Sequence, residues 1–445
     1  MPGRTQPSPE PAGSPNLDSL LLEYSITGNG FLPGCEPLRR LPDPYYASWE
    51  AILDDLPLLI KERKIRKAID SLEVLSTTRF CTEEEWRRAY VVLSFLAHAY
   101  IWGGDQASQV LPPAVSVPFL RVSKCLGLPP VATYAALNLW NFACEGSNFR
   151  DLDKIKSLHT FSGTEDESWF YSVSVAMEAQ GAYIIPIMDR ALDAIQHQDY
   201  PTVTRALDEL TICIRKLGEI LDRMDEKCDP MVFYNQIRPF LAGSKNMAAA
   251  GLPNGVLYQD GDGVLSWKQL RGGSNGQSSL IQFFDVVLGV QHTSSGAGTR
   301  VGPTVAATAG KQEPSFHQEV RSYMPPRHKA FLDHVSSKKN LKNSLEDLAI
   351  DPAKSDEQRE LWESFQIATK ALGDFRNRHL QIVTRYIIIP SKKQNQAQAV
   401  NLATASSQSD RGPGSGELTG TGGTALIPFL KQTRDETYLA GIRPQ

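Results

Sequence analysis

Apolar residues recur at helical spacing along most of the chain, most plainly near its middle. Val203, Leu207, Leu210, Ile214, Leu217, Leu221 and Met224 alternate steps of four and three, a seam that predicts a long helix with another helix laid against it. A second stripe, Leu361, Phe365, Ala368, Leu372, Phe375, His379, Ile382 and Tyr386, predicts a helix that opens at the S-x-x-Q box of Ser355 and Gln358 and ends before Pro390. Nearer the N-terminus, the T-x-x-E box of Thr82 and Glu85 opens a helix that carries Trp86, Tyr90, Leu93, Leu96 and Tyr100 and stops at Gly103-Gly104. Further helices are predicted after Pro129-Pro130, which follows a Pro-bearing connection LPPAVSVP, after Pro230, and after an S-x-x-Q box of Ser279 and Gln282.

The fold class this pattern predicts is all-α. Residues 18–125 read as a small helical domain behind a disordered tail at 1–17, packed on a larger helical domain at 126–445. Two stretches interrupt the periodicity, HTSSGAGTRVGPTVAATAGKQ and SKKQNQAQAVNLATASSQSDRGPGSGELTGTGGT. Both are too polar and too rich in small residues to pack, and they read as flexible loops at about 293–313 and 391–424, the second a candidate flap.

Charge and cysteine usage narrow the partners. A formal net charge of -4 leaves no basic excess, so neither nucleic acid nor an anionic membrane surface is the expected partner, and a small molecule is. The six cysteines form no C-x-x-C pair and read as reduced thiols of a cytoplasmic protein. The Pro- and Ser-rich start lacks the apolar core of a signal peptide, and no apolar run approaches the ~18 residues of a membrane span.

Three stretches carry candidate chemistry. His379 sits on the apolar stripe, where a lone histidine is more often a core residue with one ring N–H bonded than a ligand. Its company is Arg376, three residues back on nearly the same face, so an imidazole and a guanidinium approach one place. A ferrous haem asks for that pair: one axial imidazole for the iron, and a cation for a propionate. The other seven histidines form no ligand cluster, which favours a single-ligand cofactor over a bare metal. Gly272 to Gly276 match the G-x-S-x-G nucleophile elbow formally, but the preceding strand is not convincing; a glycine turn feeding a capped helix, or a loop close to a ligand, are the other readings. Arg238 precedes Pro239, so its helix kinks or ends there; a surface arginine is the commoner outcome, yet a kinked end can aim a guanidinium at a carboxylate beside the flat face of Phe233, which suits an aromatic amino acid.

GGSNGQSSLIQFFDVVLGVQ, YMPPRHKAFL, FRNRHLQIVTRYIIIP and GTGGTALIPFL, in that order, make the chain resemble the indoleamine 2,3-dioxygenase family, its fungal members especially, over about residues 30–439. The resemblance implies a monomeric enzyme whose large domain binds haem b. It would use ferrous iron and O2 to open the indole C2–C3 bond of L-tryptophan, giving N-formylkynurenine on the route toward NAD. By the same resemblance His379 is the axial ligand, and Arg376 and Asp285 lie on the haem side. Phe233 and Arg238 flank the indole and bind the carboxylate; Tyr134, Phe170 and Ser174 line the pocket, and Ser274 with 421–424, including Thr424, closes over it. No residue matches an obligatory acid or base. Asn275, Tyr171 and 136–138 depart from the animal members' pocket wall. The competing reading is a haem protein that binds or senses O2 with little tryptophan turnover; a carboxylate clamp argues against it.

Overall fold

The computed structural model describes residues 19–293, 316–338, 340–349, 355–394 and 426–442. Helices dominate these residues, as the spacing predicts. After short helices at Ala47–Asp54, Leu56–Lys61 and Ile65–Asp70 come α1 (Glu83–Trp102), α2 (Pro113–Leu126), α3 (Glu165–Gln180), α4 (Ile184–Ala194) and α5 (Tyr200–Asp222). They are followed by α6 (Ser279–Leu288), α7 (Pro326–Ser337), α8 (Asp356–Val383) and α9 (Leu426–Ala440). The capping boxes close as expected: Thr82 Oγ accepts the Glu85 N–H at 3.2 Å while the Glu85 carboxylate accepts the Thr82 N–H at 3.1 Å. Ser355 and Gln358 do the same at 3.3 and 3.1 Å, satisfying donors that a helix start leaves open.

The seam of α5 is buried along its length and lies against α8, which packs in turn on α9. Most of the buried apolar residues belong to one cluster running from Leu21 to Ala440. Helix α8 packs on both α5 and α9, and Phe375, His379 and Ile382 of its stripe line a cavity.

The structure corrects the sequence reading in four places. LPPAVSVP is not a connection: Pro113 occupies the first turn of α2 and Pro118 is absorbed near its start, where the missing N–H would have served only Ala114. No α-helix opens at Pro129-Pro130, because that backbone is taken up by side chains of α1. Tyr90 Oη bonds the carbonyls of Pro129 and Val131 at 2.8 and 2.9 Å, and only a π turn at Ala135–Leu139 follows. The cap of α6 is Ser278, which accepts the Ile281 N–H, and Gln282 bonds the Gly276 carbonyl instead of closing a box. Finally, the helix does not stop before Pro390. A π turn at Thr384–Ile388 shifts the bonding register, and the helix resumes as Ile389–Gln394, four residues into the segment read as a loop. Residues 395–424 of that loop lie outside the described residues, as does most of 293–313.

Two antiparallel hairpins went unread. β1 (Phe142–Cys144) pairs with β2 (Ile155–Ser157), and β3 (Val256–Gln259) with β4 (Leu265–Lys268). The second turns on Asp260-Gly261-Asp262-Gly263, where Asp260 Oδ1 accepts the N–H groups of Asp262 and Val264.

Candidate active site

The cavity offers about 240 Å³ to the centres of water-sized molecules and is bounded by α3, α6, α8, α9, the turn 134–138, the kinked helix 230–241 and the loop 273–278. Tyr134, Phe170, Ser174, Phe233, Arg238, Ser274, Asp285, Arg376 and His379 all line it. The sequence reading singled out each of these, and the fold brings them to one place. Thr424 lies outside the described residues.

One wall is aromatic and carries a cation. The helix from Pro230 passes through a π turn at Phe233–Ile237 before Arg238–Leu241, so Pro239 is accommodated by a kink and Arg238 is 3% exposed, buried where a surface position was the commoner expectation. Burial pulls the Arg238 guanidinium down to about 10, against the opposing pull of Tyr234, so it stays charged at neutral pH. Its Cζ lies 5.5 Å from the Tyr234 ring centre. Phe233 stands between Phe170, at 4.9 Å between ring centres, and Tyr386, at 5.7 Å and nearly perpendicular. The Tyr386 hydroxyl donates to Asp225 and to the Cys228 carbonyl at 2.8 and 2.7 Å, tying the π turn of α8 to the residues leading into the kinked helix.

The glycine loop comes close for a steric reason. A Cβ on Gly272 would run into the Leu241 carbonyl and the Gly243 nitrogen, and one on Gly273 would meet Leu137, so only glycine lets this loop lie on the Arg238 turn. Ser274 Oγ accepts the Gly276 N–H at 3.2 Å as a local cap, and the segment before it is irregular, so the nucleophile-elbow reading has no geometry here.

On α8, His379 faces the cavity with a half-buried imidazole. Burial, helped by the Arg376 charge, holds it down to about 4, so it is neutral at physiological pH with a ring nitrogen free of its proton. Arg376 is committed to Asp285, its Nη2 donating to both carboxylate oxygens at 2.6 and 2.7 Å while Nη1 donates to Thr437. Burial would raise the Asp285 carboxyl; Arg376 and His292 outweigh it and hold it well below the ordinary carboxylate range. His292 continues the chain, 3.3 Å from Asp285 and 2.8 Å from Glu436 of α9, with its ring stacked on His317 at 3.9 Å.

The donor set fits a haem. Among the described residues no group of three or more His, Cys, Asp or Glu converges to hold a bare ion, whereas a macrocycle brings its own nitrogens and needs one neutral imidazole such as His379. A propionate reaching Arg376 would share it with Asp285.

Sequence reasoning missed Glu178, which is 2% exposed at the cavity edge. Its Oε1 accepts from Tyr134 Oη at 3.0 Å and Ser278 Oγ at 2.7 Å, and burial pushes its carboxyl up to about 7. Spacing could have found it, since Phe170, Ser174 and Glu178 fall at steps of four on one face of α3. Of the polar residues singled out in the pocket wall, Tyr171 donates to Glu167 at 2.9 Å, while Asn138 Oδ1 is buried with no hydrogen bond among the described residues.

A helical shell around a cavity faced by the neutral imidazole of His379 fits the class of haem-dependent dioxygenases, which are oxidoreductases. The chain belongs to the indoleamine 2,3-dioxygenase family, whose model matches residues 20–440. It is 41% identical over 420 residues to "Indoleamine 2,3-dioxygenase nanC" of Aspergillus nanangensis, covering 93% of this chain and 94% of that one. Indoleamine 2,3-dioxygenase of Saccharomyces cerevisiae is 40% identical over 438 residues, covering 94% and 93%. "6-hydroxytryptophan 2,3-dioxygenase fscD" of Fusarium equiseti is 34% identical over 409 residues, covering 92% and 94%.

Proposed function

We propose that the protein inserts both atoms of O2 across the indole C2–C3 bond of L-tryptophan, giving N-formylkynurenine, with His379 as the single protein ligand of haem b. The observation that carries this reading is the kinked helix 230–241, which turns the Phe233 ring and a buried, charged Arg238 into the cavity that His379 also faces. The haem, ferrous in the active form, supplies the activation of O2. Arg238 pairs with the substrate carboxylate as a charge-assisted contact. Phe233 and Phe170 confine the indole between rings, which fixes the reacting bond and lowers the entropy lost at the transition state. The apolar walls exclude water. Tyr134 stays protonated, its hydroxyl pushed well above its ordinary range by burial and by Glu178, so it donates rather than acts as a base. Both oxygen atoms end in the product, and the reaction consumes no external reductant per turnover.

Cytoplasmic action is supported by the dispersed thiols, and among the described residues no helix is long and apolar enough to cross a membrane. The test is a titration of the haem-loaded protein with L-tryptophan and with 6-hydroxytryptophan, beside Arg238→Ala. Loss of one charge-assisted contact weakens binding by about ten- to a hundredfold. Unchanged tryptophan affinity in Arg238→Ala would sink the carboxylate assignment, and a strong preference for the hydroxylated substrate would move the reading to that of the Fusarium relative.

A further inference from the structure

Arg238 sits on a helical turn of four residues, Arg238–Leu241, which begins at a kink and contains a proline, so its own hydrogen bonds hold it weakly. What holds it is α1. His98 Nδ1 lies 2.7 Å from the Phe240 carbonyl, two residues past Arg238, and one helical turn further along Trp102 Nε1 donates to the Ala242 carbonyl at 2.9 Å. The Phe240 ring stacks on Phe161 at 5.0 Å and 9°.

The other nitrogen of the same imidazole reaches the opposite wall. The Ala132 N–H donates to His98 Nε2 at 3.0 Å, two residues before Tyr134, whose own N–H donates to Gln277 Oε1 at 2.8 Å. An amide N–H can only donate, so Nε2 carries the lone pair and Nδ1 carries the proton that Phe240 accepts. His98 is 2% exposed, and burial holds it uncharged, down to about 4, which keeps that tautomer in place. One neutral ring thus spans the turn that carries Arg238 and the turn that carries Tyr134.

We infer that His98 is a positioning residue for substrate recognition: through its two opposed hydrogen bonds it sets where the Arg238 guanidinium stands relative to the Tyr134 wall. This rests on the reading of Arg238 as the carboxylate site. A residue acting this way affects substrates that carry a carboxylate and spares those that do not, which separates positioning from general support of the fold.

The experiment uses the haem-loaded full chain and two probes: L-tryptophan, for KM and kcat, and tryptamine, the same indole without a carboxylate, for binding followed in the haem absorption band. His98→Gln keeps an acceptor near Ala132 and gives up the bond to Phe240. The expected result is a rise of about tenfold in KM for L-tryptophan, with kcat within about twofold and tryptamine binding unchanged. His98→Asn, which keeps a donor near Phe240, recovers most of that loss. Equal weakening of both probes, or no change in KM, overturns the inference. Arg238→Ala is run alongside. If Arg238→Ala lowers discrimination between the probes and His98→Gln leaves it unchanged, the positioning role fails alone; if Arg238→Ala also leaves discrimination intact, the carboxylate reading itself has failed. Should neither His98 variant fold, Trp102→Phe, which removes the donor to Ala242 from the neighbouring anchor of the same turn together with part of a buried ring, carries the test under the same criterion, with tryptamine binding as the control for the lost bulk.

Discussion

Replacing Asp285 with alanine removes one half of a buried ion pair at the cavity floor. Arg376 and Asp285 have side chains 9% and 8% exposed and meet at 2.6 Å, so the pair gains little from solvent and is weakly screened by salt. Two unit charges about 4 Å apart interact by about 4 kcal/mol at the effective dielectric that fits protein sites. The cost of the substitution is set less by that attraction than by leaving Arg376 buried without a counter-charge, typically about 3–5 kcal/mol. Thr437 still accepts from Arg376, which places the expected loss near the lower end, about 3 kcal/mol. The assay is urea unfolding of haem-free protein followed by two probes, so that cofactor affinity does not enter the number and coincident transitions license a free energy. Arg376→Met in the Asp285→Ala background removes the stranded charge, and the double variant is expected to be more stable than Asp285→Ala alone. A loss under about 1 kcal/mol in Asp285→Ala, or a double variant that loses the sum of both single changes, would refute the reasoning.

Three further outcomes follow from the same geometry. Glu178 titrates near 7 in the folded protein, above its ordinary 4.5, so its stabilising contribution is full below pH 4.5 and is lost as pH rises through 7. Glu178→Gln therefore gains stability relative to the parent between pH 5 and 8, by up to about 3 kcal/mol in urea titrations at the two pH values, and parallel pH profiles would contradict this. Asn138→Leu removes a buried Oδ1 with no partner among the described residues at the expense of one long bond, Nδ2 to the Tyr134 carbonyl at 3.3 Å, and it is expected to leave stability within about 1 kcal/mol of the parent, read as the urea midpoint; a loss above about 2 kcal/mol would contradict this. Thr82→Ala breaks the box that opens α1 and costs about 1 kcal/mol by the same measurement; no change would mean that the first turn frays in solution.

The long helices were legible because they obey one rule along their length. The seam of α5, the boxes of Thr82 and Ser355, and the stripe of α8 each follow local spacing, and tertiary contacts agree with them. The misread segments are those where a distant side chain takes a backbone group. Tyr90 and His98 claim the 129–132 backbone, so propensity after Pro129-Pro130 is overruled by α1. Proline was overrated as a stop at 390 because a π turn precedes it, which no local pattern announces, whereas at Pro239 the expected kink is made through a π turn of the same kind. The site residues were named through long ordered matches to a family, and those that fall among the described residues all line one cavity. Glu178 and the tether of His98 escaped because their meaning lies in contacts across 100 residues or more: Glu178 with Ser278, His98 with Phe240.

The central claim is that His379 holds a haem that serves tryptophan dioxygenation. The most direct measurement is to supply haem-loaded, reduced protein with L-tryptophan under 18O2 and to weigh the N-formylkynurenine formed, beside His379→Ala prepared identically. The account predicts product carrying two heavy oxygen atoms from the parent and neither stable haem nor product from the variant. Normal haem uptake and turnover by His379→Ala, or a parent that binds O2 and leaves tryptophan intact, would contradict it.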